Sequence, residues 1–330
     1  MKPPGEHPAW LDPIYAVAAG AFGVGAAART WLYDRGLWSA VRVERPVISV
    51  GNLTVGGSGK TPLVITLVDR LPGKRVAVLS RGYGRRSSVA PLVVSTGEGP
   101  LVTAEEGGDE PRLIAQRTRA IVVVDPDRVR GAARAIALGA EVLILDDGFQ
   151  HRRLHRDLDL VVIDGAEPFG NGHLLPRGPL RESPSALSRA NLLIQVGPGS
   201  ALQNDDRMVE VEVVPATVGP HPASWLRGRR VALYAGIARP HRLRRTVEAL
   251  GATVVAQHYE GDHAFADPQQ LLAFASRAKG EGAEVVVTTE KDQARGPLPP
   301  DFLALRIGLQ IRRGEDRLQA ALQKLVGGAG

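Results

Sequence analysis

Apolar residues along this chain gather in short runs bounded by charge, and between those runs the spacing turns helical. A buried strand begins at Val47, and 75–80, 120–124, 141–145 and 158–163 are further runs of the same kind. Such runs are expected of parallel strands covered on both faces. Helical patterns fall between them at 62–71, 111–118 and 127–138. Strands alternating with helices predict a doubly wound sheet. A second alternation follows, with strands at 230–235, 253–257 and 284–288 and helices at 239–250 and 268–279. Around it, 209–213 and 305–311 alternate apolar and polar with period two, which suits a solvated two-stranded ribbon. A final helix at 315–326 is expected to return to the first domain.

The strand at Val47 runs into a loop that carries the first chemical signal. Val47-Ile-Ser-Val-Gly-Asn-Leu-Thr54-Val55-Gly56-Gly57-Ser58-Gly59-Lys60-Thr61-Pro joins an apolar strand to an apolar helix through a glycine-rich loop ending in Gly-Lys-Thr. That is the layout of a phosphate-binding loop, whose backbone N–H groups and helix N-terminus wrap nucleotide phosphates. Lys60 is placed to reach the β- and γ-phosphates and the Thr61 hydroxyl to ligate Mg²⁺. Thr54 stands where the usual pattern has its first glycine. The chain holds six lysines against 35 arginines, so a lysine at this position is not compositional noise. The fold expected is therefore α/β: a P-loop NTPase-like three-layer domain with a mostly parallel sheet, plus a smaller α/β domain joined by a two-stranded linker. In residue numbers the division reads 1–35, 36–206 with 314–330 returning to it, and 207–313.

Other segments supply acids and bases. The apolar strand Leu143-Ile-Leu ends in Asp146-Asp147-Gly-Phe-Gln150-His151, and a strand-terminal Asp is the second anchor that a loop-bound Mg²⁺ requires. Its bland reading is a strand stopped by a polar turn. His151-Arg-Arg-Leu-His-Arg156 is either a solvated basic loop or a holder of anionic substrate. Glu105-Glu-Gly-Gly-Asp109-Glu110-Pro is a tight acidic turn before a helix; its carboxylates either cap that helix or, in Asp109, take the proton of an acceptor hydroxyl. Ser80-Arg-Gly-Tyr83-Gly-Arg-Arg86 is either a phosphate or adenine contact or an ordinary basic turn. Gly261-Asp-His263-Ala-Phe puts a histidine after an acid in a loop of the second domain.

Composition narrows the partners. The hydrophobic fraction of 44% is ample for sizeable cores, and at 330 residues two domains are expected. The net charge of +6 points to an anionic partner or to Arg-rich codon usage. With no cysteine there is no disulfide, thiolate zinc site or thiol nucleophile. No aromatic stacking platform accompanies the basic segments, which argues against nucleic acid. The charge-free run 14–28 is 15 residues long, or about 22 Å as a helix. A spanning helix needs ~20 apolar residues, so a partly inserted anchor and a buried helix both remain open. A secretory signal is disfavoured, because Lys2 is the one basic residue upstream of the run and an ATP site needs cytoplasm.

Two look-alikes fail on residues. Partition-type ATPases carry a signature lysine where Val55 stands, and the guanine-reading Asn-Lys-x-Asp of GTPases does not match Thr289-Glu-Lys-Asp292.

VGNLTVGGSGKTP, SRGYGRR, EEGGDEP, LDDGFQHRRLHRDLDLVVID, LLPRGPLRE, GDHAF and TTEKD together, in this order, resemble the tetraacyldisaccharide 4′-kinase family of lipid A biosynthesis. The resemblance spans most of 46–292, and it implies an ATP- and Mg²⁺-dependent kinase. The enzyme would act on the 4′-hydroxyl of lipid A disaccharide 1-phosphate at the cytoplasmic face of the inner membrane, attached to the membrane surface through its N-terminal helix. No nucleic acid and no obligate protein partner are expected. Carried over by motif, Ser58, Lys60 and Thr61 bind phosphate and Mg²⁺, within a nucleotide loop of Thr54, Val55, Gly56, Gly57, Ser58 and Gly59. Asp146 and Asp147 match the strand-end carboxylates and Gln150 the polar contact beside them. Asp109 matches the base, Glu110 its metal-side neighbour and His263 the partner of that base. Tyr83, Arg128 and Arg181 match positions facing nucleotide or phosphates. The rival readings are a P-loop kinase of another anionic sugar or small molecule and a membrane-bound nucleotide switch.

Overall fold

The computed structural model describes residues 8–56, 59–199, 202, 205–261, 265 and 267–327. The elements run α1 (Asp12–Asp34), β1 (Val47–Asn52), α2 (Lys60–Asp69), β2 (Val76–Ser80), β3 (Leu92–Thr96), α3 (Ala104–Gly107) and α4 (Asp109–Arg117). There follow β4 (Ile121–Val124), α5 (Arg128–Ala137), β5 (Val142–Asp146), β6 (Leu158–Asp164), β7 (Leu192–Val196), β8 (Met208–Val218) and β9 (His221–Pro222). The last are β10 (Arg230–Ala235), α6 (Pro240–Ala249), β11 (Thr253–Tyr259), α7 (Pro268–Gly280), β12 (Val285–Thr289), α8 (Glu290–Arg295), β13 (Phe302–Arg313) and α9 (Glu315–Gly327). The chain divides into two units: Met1–Arg81, Asp125–Glu212 and Gln310–Gly330 form one, Gly82–Val124 and Val213–Leu309 the other.

In the first unit β7, β6, β1, β5 and β2 lie side by side and parallel, with the start of β8 beside β7. Every residue of β1 and β5 is buried, as strands covered on both faces require. The register sets Val50 of β1 opposite Asp146 of β5. The phosphate loop and the strand-end carboxylates therefore leave the sheet together at its carboxyl edge, where open α/β sheets bind ligands. Gly51 makes this close approach possible: a Cβ there would meet the Phe149 Cβ at 2.4 Å and its backbone N at 2.7 Å. Asp127 caps α5 by accepting from the N–H groups of Val129 and Arg130.

The N-terminal run proves longer than its apolar part, since α1 has 23 residues and is about 35 Å long. Among the described residues no helix is long and apolar enough to cross a membrane. Polar ties hold α1 to its own unit. Arg177 donates to Asp12 at 2.9 Å and 3.1 Å. Arg152 donates to the Thr30 carbonyl at 3.1 Å and pairs with Asp34. Trp10, Ile14, Val17, Val24 and Trp31 remain exposed.

In the second unit β11, β10, β12 and β13 are parallel, and β3 pairs antiparallel with β4. The sheet residues alternate between two cores. Val231, Leu233 and Ala235 pack with Leu243 and Val247 of α6, while Ala232 and Tyr234 pack with Leu271, Phe274 and Ala278 of α7. This is the smaller three-layer arrangement that the second alternation predicts. One grouping differs from the sequence-based division. Residues 82–124, expected within the block 36–206, belong with 213–309, because α4 packs on α8 through three ion pairs described below.

Candidate active site

In the first unit, five side chains around the phosphate loop close into a ring. Lys60, the first residue of α2, directs its Nζ to Asn52 Oδ1 at 3.1 Å and to Asp147 Oδ1 at 3.3 Å. Arg181 donates to Asp147 Oδ2 at 2.6 Å and to Gln150 Oε1 at 3.4 Å. Gln150 donates in turn to the Asn52 carbonyl at 3.0 Å. The strand end, the loop lysine, the Asp-Asp turn and the Arg181 loop are thus one connected network.

The backbone explains how two successive carboxylates serve different partners. Asp147 has φ 56°, and it alone among the described non-glycine residues adopts positive φ, a conformation Asp tolerates better than most residues. The turn directs Asp147 to Lys60 and Arg181, while Asp146, at the buried end of β5, accepts from the Ser80 hydroxyl at 3.3 Å. Burial alone would raise the Asp147 pKa, but the Lys60 and Arg181 cations outweigh it and hold the carboxyl below its ordinary value.

The loop is pinned from the far side. Val55 donates its N–H to the Pro179 carbonyl, Arg181 donates its own to the Leu53 carbonyl, and Thr54 bridges to Leu180. Gly56 and Gly59 have φ 106° and 89°, which glycine alone adopts without strain. Gly57 and Ser58 lie outside the described residues. Thr61 is buried at the start of α2. Hydroxyl and carboxylate oxygens are the hard donors that Mg²⁺ prefers. Among the described residues no group of three or more His, Asp or Glu could hold a metal by itself. A site of one or two carboxylates, a hydroxyl and substrate phosphates is the Mg²⁺ arrangement this donor set fits.

Arg128 opens α5, buried, and donates to the Asp125 and Asp146 carbonyls at 2.7 Å and 3.4 Å. Its buried Nε has no protein partner. Burial lowers its pKa to about 10, against the opposing pull of Asp146, so it stays charged at neutral pH. The basic run 151–156 is committed to the fold. Arg152 holds α1, Arg153 pairs with Asp127, and Arg156 pairs with Asp159 and the His151 carbonyl. Burial lowers the His151 pKa to about 4, with Arg128 and Arg29 adding to the shift. Of the two readings left open for this run, the structure favours scaffold over substrate holder.

The remaining candidates belong to the second unit. Tyr83 is 75% exposed. Asp109 is 5% exposed at the start of α4, and its Oδ2 accepts from Arg295 Nη2 at 2.8 Å and Nε at 3.2 Å. Glu110 is paired with Lys291. His263 lies outside the described residues. The segment carrying Asp109 and the segment 213–309 form one unit. Sequence reasoning passed over Asn52, Ser80 and Arg295. The first two stand inside the quoted motifs VGNLT and SRGYG, and Arg295 lies just beyond TTEKD.

A family model for tetraacyldisaccharide-1-P 4′-kinase matches residues 11–327. The tetraacyldisaccharide 4′-kinase of Anaeromyxobacter dehalogenans is 43% identical over 350 residues, which cover 97% of this chain and 92% of that one. The enzyme of the same name from Syntrophus aciditrophicus is 40% identical, covering 91% and 90%. A crystal structure of LpxK from Aquifex aeolicus in complex with ATP superposes with a TM-score of 0.79 at 30% identity, covering 96% of this chain and 99% of that one.

Proposed function

The chain belongs to the tetraacyldisaccharide-1-P 4′-kinase family, and from that premise we propose how its residues transfer the γ-phosphate of ATP to the 4′-hydroxyl of tetraacyldisaccharide 1-phosphate in lipid A biosynthesis. The observation that carries the reading is the ring of Lys60, Asn52, Gln150, Arg181 and Asp147 around the phosphate loop. Phosphoryl transfer depends on positioning and charge neutralisation more than on covalent chemistry. Lys60 and Arg181, both held on one carboxylate, are the cations that would turn to phosphate oxygens. Thr61, Asp146 and Asp147 would hold Mg²⁺; Glu110, the fourth metal candidate, is paired with Lys291 in the second unit. When bound, the ion neutralises negative charge on the transferring phosphoryl oxygens. The 4′-oxygen forms its bond to the γ-phosphorus as the bond to the β–γ bridging oxygen breaks and ADP leaves. Asp109, with His263 as partner, is the base proposed to take the hydroxyl proton. Tyr83 and Arg128 are proposed on the nucleotide side.

Attachment to a membrane surface is proposed through α1. Its polar residues are tied to the first unit while Trp10, Ile14, Val17, Val24 and Trp31 face outward. That suits a helix lying in the lipid interface. A nucleotide switch would have no use for an acceptor-side base.

The deciding experiment is transfer from γ-labelled ATP to lipid A disaccharide 1-phosphate in detergent micelles, with Asp109→Ala alongside. Label in the lipid that is nearly lost in the variant is the expected result. Equal label in both would remove Asp109 from the role, and no lipid label despite nucleotide binding would favour a different acceptor or a switch.

A further inference from the structure

The segment Thr288-Thr-Glu-Lys-Asp-Gln-Ala-Arg295 has no role in the chemistry so far, yet it is among the most heavily bonded in the second unit. Thr289 caps α8 by accepting from the Asp292 N–H at 3.3 Å. The Asp292 carboxylate is then saturated. Its Oδ2 accepts from the hydroxyls of Thr288 and Thr289 at 3.3 Å and 2.6 Å. Its Oδ1 accepts from the Gly236 N–H at 3.0 Å and from Arg295 Nη1 at 2.7 Å. The same Nη1 donates to the Gly236 carbonyl at 2.7 Å. One edge of the guanidinium is thereby fixed, and its remaining nitrogens, Nε and Nη2, both donate to Asp109 Oδ2.

Both neighbours of this contact repeat the pattern. Glu290 accepts from Arg117, at the far end of α4, at 2.5 Å and 2.7 Å, and Lys291 pairs with Glu110. Three ion pairs thus join a six-residue helix to one face of α4. Arg295 and Asp109 are each 5% exposed in their side chains. A structural contact alone has no need of a carboxylate here, since apolar residues of similar volume serve buried packing as well or better.

We infer that Arg295 is the positioning residue for Asp109: mounted on Asp292 and Gly236, it orients the carboxylate for proton abstraction from the acceptor hydroxyl. The inference rests on the reading of Asp109 as base. A general base works only when it is held within hydrogen-bond reach of the proton it takes, and two donors from one fixed guanidinium set the direction of the Asp109 carboxylate. The charged groups around the pair are Asp292, Lys291 and Glu110, with Glu106 of α3 engaged in its own capping box with Thr103. Gly236 belongs to the device as well, because a Cβ there would meet Arg295 Nη1 at 2.8 Å.

The test uses the full-length protein in micelles and compares single-turnover transfer in Asp109→Asn, Arg295→Met, Arg295→Lys, Gly236→Ala and the double variant Asp109→Asn/Arg295→Met. Positioning predicts that Arg295→Met lowers the transfer rate by at least about tenfold, within the range a general base supplies, and leaves ATP affinity unchanged. Arg295→Lys recovers part of the rate, Gly236→Ala reproduces a weaker form of the defect, and the double variant is no slower than Asp109→Asn. A full rate in Arg295→Met beside a crippled Asp109→Asn overturns the positioning role and keeps the base. A full rate in Asp109→Asn overturns the base itself. Losses that multiply in the double variant, or a loss of ATP affinity in Arg295→Met, reduce Arg295 to a part of the fold. If Arg295→Met does not fold, the Lys and Gly236 variants decide on the same rate and ATP-affinity readouts.

Discussion

Asn52 stands inside a quoted motif, yet its part in the site comes from contacts the motif does not state. It ends β1, receives Lys60 on its side-chain oxygen and Gln150 on its carbonyl, and donates to the Thr54 carbonyl at 2.6 Å. Lys60→Ala removes the cation proposed to bind phosphate and should lower transfer by roughly 10²–10³-fold. Asn52→Ala leaves the cation and loosens its mounting, so a loss of about tenfold is expected, measured as kcat in the micelle assay. An unchanged kcat would mean that the loop alone fixes Lys60. His151 gives a prediction in pH. Its folded pKa of about 4 lies below the ordinary value of 6.5, so between those values the unfolded chain binds the extra proton. Stability therefore falls as pH drops from about 6.5 towards 4. In urea titrations at pH 7 and pH 5, the midpoint of the unaltered protein should fall further than that of His151→Gln. Equal falls would show that the histidine is as easily protonated folded as unfolded.

At the scale of elements, the strands were legible where both of their faces are buried. The apolar runs at 141–145 and 158–163 became β5 and β6 within a residue of the expected ends. Two of the strands passed over carry polar residues within a short apolar run. β3 is half-buried, and β7 carries Gln195 inward, where its side chain donates to the Gly197 and Gly199 carbonyls. No local pattern announces either. The phosphate loop was legible because its glycines and lysine sit at fixed spacing. The partner carboxylate of that lysine was not, because Asp147 reaches it from a distant turn and is shared there with Arg181. Close approach between elements is equally hidden in composition. Gly51 reads as an ordinary small residue in a strand, yet it lets β1 meet the Phe149 backbone. Gly51→Ala should cost about 1–3 kcal/mol of stability, the usual range for overpacking a dense core. Thermal or denaturant unfolding of the purified variant checks it, and an unshifted midpoint would show that the Asp-Asp turn yields without strain.

For the whole molecule, sequence located two α/β alternations but placed 82–124 with the first, since its partners lie some 180 residues further along: Arg117 with Glu290, Lys291 with Glu110 and Arg295 with Asp109. The N-terminal helix poses the opposite case, with a composition that left two readings open and a geometry that separates its faces. Asp12, Arg29, Thr30 and Asp34 are bonded to the first unit, and only Ala19 of the helix is buried. Val17 and Val24 are 76% and 71% exposed and take no part in those ties. Each apolar side chain of this size transferred from water contributes about 1.5–3 kcal/mol. Val17→Glu/Val24→Glu should therefore reduce sedimentation with phospholipid vesicles by well over tenfold and leave ATP affinity and the unfolding midpoint unchanged. Deletion of residues 1–28 should release the protein from vesicles too, but it also removes the Asp12–Arg177 pair and should lower the midpoint. Vesicle binding that survives the double substitution would move the attachment away from α1, and joint loss of binding and stability would mean that this face packs against protein instead of lipid.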